Sequence, residues 1–71
     1  MKKALINNTI QLLHAKARQH KLNIDLLLDH TQSIPEHTDI TEAILAELKL
    51  LSEYQDQLDT FKRYYGDADE R

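Results

Sequence analysis

Between Asp39 and Tyr65 the apolar residues Ile40, Ile44, Leu51, Tyr54, Leu58, Phe61 and Tyr65 recur at steps of three and four, with one gap of seven that spans Glu47. That spacing lays them along one side of an α-helix. No glycine or proline interrupts the stretch. Asp39 and Glu42 have the separation of a capping box, in which each side chain satisfies backbone N–H groups at a helix start. Gly66, the only glycine, stands where a left-handed C′ residue closes a helix. The spacing therefore predicts a helix over 39–65, roughly 40 Å long at 1.5 Å per residue.

A second stripe precedes it. Ile6, Ile10, Leu13, Ala17, His20, Ile24, Leu27 and Thr31 alternate by four and three, a heptad-like repeat that predicts a first helix over 3–31. Asn23 and β-branched Ile24 are mediocre helix formers, so a break near 20–23, with Asn23 capping a short extra helix, is the competing expectation. The segment 32–38 holds the only proline, and Pro35 disfavours helical geometry at Ile34. A short connection of this kind joins antiparallel helices. Residues 66–71 are acidic and without apolar anchors, which predicts a frayed tail.

These elements describe an all-α antiparallel helical hairpin as a single domain. Seventy-one residues bury only about 60% of the surface of the unfolded chain. Cysteine is absent, which removes disulfides and Cys-based zinc sites as supports and leaves oligomerisation or very regular helix packing. If the chain reverses near Pro35 and Glu36, seam residues whose numbers sum to 71 face each other, which sets Ala17 against Tyr54 and His20 against Leu51. Two helices do not dry such a seam. The first helix carries a further apolar edge of Leu5, Leu12, Leu22 and Leu26, and the second adds Ala43, Leu50 and Tyr64. Exposed apolar area of that extent marks a partner surface. The economical partner is a second copy, which gives a homodimeric four-helix bundle; a heterologous partner helix is the competing explanation, and in either case Leu5, Leu12, Leu22, Leu26, Leu50 and Tyr64 form the dimer or partner interface.

Charge is distributed unevenly. Residues 1–21 carry Lys2, Lys3, Lys16, Arg18 and Lys21 with no acid, and the remainder carries all twelve acids against four basic residues, so the two parts are +5 and −8. The plain reading is that basic and acidic arms lie side by side and neutralise each other. The sharper one is a nucleic-acid face. Lys3, Asn7, Gln11, His14, Arg18 and Lys21 form one continuous stripe on the first helix, with cations for phosphates and polar groups for bases or riboses.

Two polar residues interrupt the seams, His20 in one and Glu47 in the other. A carboxylate shielded from water needs a partner, so two arrangements are open: the helices rotate slightly and both side chains reach water, or the two meet in a contact that sets helix register. Chemistry is not. The four histidines include no pair at the i, i+4 spacing of a helical metal site, and there is no HExxH, glycine-rich phosphate loop or cysteine nucleophile. No cofactor and no metal are expected. Asn7-Asn8-Thr9 interrupts any signal-like apolar run, and no stretch of about 18 apolar residues occurs, so a cytoplasmic location is expected. The function expected is that of a non-catalytic protein-interaction module, an adaptor, inhibitor or regulator. The alternative is an RNA- or DNA-binding regulator that uses the stripe.

Overall fold

The computed structural model describes residues 1–29 and 37–69. Over these the chain forms two long helices, α1 (Lys2–Asp29) and α2 (His37–Asp69). They pack against each other along their lengths as an antiparallel hairpin, with Ile6 near Phe61 and Tyr65 at one end and Leu27 near Ala43 at the other. The result is a rod of 52 × 15 × 14 Å. Its radius of gyration is 16.0 Å, against about 11 Å for a compact chain of this length.

The first helix is unbroken through 20–23. Asn23 and Ile24 cost only a few tenths of a kcal/mol each relative to better helix formers, and Asn23 spends its side chain on a contact to α2 instead of capping. At the start of α1 the Leu5 N–H donates to the Met1 carbonyl at 3.0 Å. No helix of the described residues is long and apolar enough to cross a membrane.

Two expected boundaries of the second helix are corrected. Helix α2 begins at His37, so Asp39 lies inside the first turn and is not its N-cap; there its carboxylate meets the positive end of the helix dipole. The helix also runs through Gly66 to Asp69. Gly66 is not a left-handed stop, since no glycine has positive φ, and residues 67–69, expected in a frayed tail, extend the helix. An isolated glycine costs a helix only about 1 kcal/mol, which one further turn with its hydrogen bonds offsets. Thr31, Pro35 and nearly all of the expected 32–38 loop lie outside the described residues, as do Glu70 and Arg71.

The seam buries four apolar residues, Ile6, Ala17, Ile40 and Leu58, and none of the described side chains is fully enclosed. Ile10, Leu13, Ile24, Leu27, Ile44, Leu51, Tyr54 and Phe61 are half-buried. Tyr65, expected in the seam, is half exposed because α1 ends a few residues beyond its level. Small Ala17 lets the helices approach, the complementarity a packed layer needs.

Candidate interaction surfaces

A polar node sits near mid-seam. His20 Nδ1 and Glu47 Oε1 are 2.8 Å apart, and Asn23 Nδ2 donates to the same Oε1 at 2.8 Å. A carboxylate only accepts, so the His20 proton toward Glu47 is on Nδ1. The His20 ring also stacks on Tyr54, with centroids 5.7 Å apart and planes 3° from parallel. His20 thus touches residues on either side of Leu51, its expected opposite. The two side chains are 14% and 24% exposed. The hydrogen bond from His20, then that from Asn23, holds the Glu47 carboxyl below its ordinary 4.5; partial burial opposes this and the His20 charge assists. Among the described residues no buried side-chain nitrogen or oxygen lacks a partner.

The hairpin has two long sides. One is the leucine side, where Leu5, Leu12 and Leu26 are 58%, 61% and 57% exposed. They recur at multiples of seven, so they share one line along α1. Three grooves open on this side. One is lined by Lys2, Leu5, Ile6, Thr9, Phe61 and Tyr65, a second by Leu13, Asp56, Gln57, Phe61 and Tyr64, and a third by Asn23, Leu26, Leu27, Ala43, Ala46 and Glu47. Leu22 is exposed on the outer edge of the row, Tyr64 is 70% exposed, and Leu50 is half-buried. The Tyr64 ring lies 6.5 Å from that of Tyr65, which in turn lies 4.8 Å from Phe61.

The opposite side carries the stripe. Lys3, Gln11, His14, Arg18 and Lys21 are exposed and Asn7 is half-buried. Gln11 Nε2 donates to Asn7 Oδ1 at 3.4 Å, and Lys21 pairs with Asp25 at 3.0 Å. A fourth groove opens here, lined by His14, Ala17, Arg18, Lys21, Leu51 and Gln55. The chain matches no known protein family, no curated protein and no solved structure.

The basic and acidic arms lie side by side, without direct lysine or arginine ion pairs between them among the described residues. Among the described residues the lysines and arginines of α1 have no acid of α2 within ion-pairing distance; the pairs formed are His20–Glu47 across the seam and Lys21–Asp25 within α1. Nor do three His, Asp or Glu side chains of the described residues gather to hold a metal ion.

Sequence reasoning missed Asn23 as the second donor to Glu47, and it missed Leu28, Leu45 and Leu48, all exposed. A signal existed for three of the four. Asn23 lies three residues after His20 and so on the same face, and Leu45 and Leu48 are one turn apart off the α2 seam.

Proposed function

We propose that the protein is a non-catalytic, cytosolic interaction module that pairs through its leucine side with a second copy, forming a two-fold four-helix bundle that presents its remaining faces to a protein partner. The observation that carries this reading is the exposure of Leu5, Leu12 and Leu26 in one line beside open interhelical grooves. A compact globule of 8.3 kDa exposes about 4,600 Å². This rod exposes 5647 Å². The excess, about 1,000 Å², is of the order of the roughly 800 Å² that one partner contributes to a standard interface.

A second copy suits the surface because the side is self-complementary. The leucine row extends about 32 Å, at 1.5 Å per residue from Leu5 to Leu26. The groove near the connecting segment is lined by small Ala43 and Ala46, which leave room for leucine side chains of a facing row. A two-fold axis satisfies both rows at once. Sedimentation at several protein concentrations tests the reading. A concentration-dependent dimer that Leu12→Glu with Leu26→Glu converts to folded monomer is expected, and a wild-type chain that stays monomeric at high concentration refutes it. RNA or DNA binding through the α1 stripe is the alternative, distinguished by a steep loss of affinity with added salt.

A further inference from the structure

We infer that the fourth groove, on the side away from the leucine row, is a docking site for an acidic amphipathic helix of another protein. His14, Arg18 and Lys21 form one wall, at steps of four and three, and Gln55 stands on the other over a floor of Ala17 and Leu51. No acid lines it, whereas Asp56 and Glu47 line two of the grooves on the leucine side. Arg18 has no acid within ion-pairing distance among the described residues, and Lys21 is shared only with Asp25 of its own helix. Carboxylates at the matching spacing of a facing helix meet these cations in turn.

The walls continue as apolar surface. Leu28 follows Lys21 by seven residues and Leu48 precedes Gln55 by seven, so each stands on the same line as the groove residue it continues. Leu45 adjoins Leu48 one turn away, and all three are exposed. From His14 to Leu28 the surface runs about 21 Å, roughly four helical turns. Leucines beside cations select an occupant with apolar residues flanked by acids. A nucleic acid would leave Leu28, Leu45 and Leu48 uncovered, and its phosphates would also meet the field of a chain with net charge −3.

The inference rests on the reading of the protein as an interaction module and is independent of self-association, which uses the other side. The test is fluorescence anisotropy of the full chain with three probes: a synthetic amphipathic helix with leucines at steps of three and four flanked by glutamates, its lysine-for-glutamate counterpart, and an RNA duplex. Saturable binding of the glutamate helix alone is expected. Arg18→Glu with Lys21→Glu should weaken it about tenfold or more and should bring the lysine helix into binding. Leu48→Asp should weaken it as well. Leu12→Glu with Leu26→Glu should leave it unchanged. Equal binding of the two peptides, no binding of either, or preferential capture of the RNA duplex overturns the inference. Sedimentation of the wild-type samples separates the two readings, since a wild-type chain that stays monomeric yet binds the glutamate helix counts against the bundle alone, and a wild-type dimer that binds neither peptide counts against the groove alone.

Discussion

The two long sides of the hairpin rise from the same seam and differ in how they are lined. On the leucine side, Leu5, Leu12 and Leu26 flank grooves lined mainly by apolar and small side chains, with Lys2, Glu47 and Asp56 among them. On the other, His14, Arg18 and Lys21 flank a groove that turns apolar only toward Leu28 and Leu48. One helix thus carries two surfaces of different physics. Apolar area associates without direction or charge selectivity, whereas a row of cations discriminates partners and governs their rate of encounter.

The largest effect is expected from placing charge on the leucine side. Leu12→Glu with Leu26→Glu should weaken self-association by about 4 kcal/mol, roughly a thousandfold, since each carboxylate would be buried without a partner in both copies. The same pair of substitutions at Arg18 and Lys21 should leave the dimer within about 0.5 kcal/mol. Equal losses in sedimentation would erase the distinction between the sides.

Truncation in the shared seam should act on both sides together. Leu58 is 5% exposed, and Leu58→Ala should lower folding stability by about 2–4 kcal/mol in chemical denaturation. A cost below about 1 kcal/mol would show that the seam is not the core.

The mid-seam node ties the stability of the shared seam to pH. Glu47 is held below its ordinary value in the folded chain, first by the His20 hydrogen bond and then by that from Asn23. Its contribution is therefore complete above the unfolded value of 4.5 and disappears as pH falls through the lowered folded value. Wild type should lose stability relative to Glu47→Gln over that acid range, and parallel stability curves for the two proteins would remove the node from the account. Asn23→Ala should cost about 1 kcal/mol at neutral pH, the worth of one hydrogen bond to a charged, partly exposed acceptor.

The smallest effect is at Gly66. A Cβ there would meet the Lys62 Cβ at 3.6 Å, an ordinary contact, and the residue is helical. Gly66→Ala should raise stability by up to about 0.5–1 kcal/mol. Destabilisation on thermal melting would reinstate the left-handed stop.

The hairpin was legible because seam residues in both helices keep heptad steps over many turns, and long amphipathic periodicity survives local propensity. The His20–Glu47 contact was legible as one of two alternatives: both residues break apolar stripes, and antiparallel packing of the two helices brings their levels close. Helix ends were less legible. Asp39 with Glu42 and the lone Gly66 are local signals, and the gain from another turn exceeds what either enforces. The node's second donor was less legible, because the only signal for Asn23 is its place on the face of His20, which does not name a partner across the seam.

By itself the sequence determined that this chain makes two long amphipathic helices with more apolar edge than one seam covers, because periodicity is a property of neighbours along the chain. Only the tertiary structure decided which edge became which side. The rotation of each helix about its axis is set by packing, by Ala17 and Leu58 settling into the seam and by Glu47 meeting two donors at once. That rotation leaves the Leu5–Leu12–Leu26 row and the Arg18–Lys21 row on opposite sides of one rod.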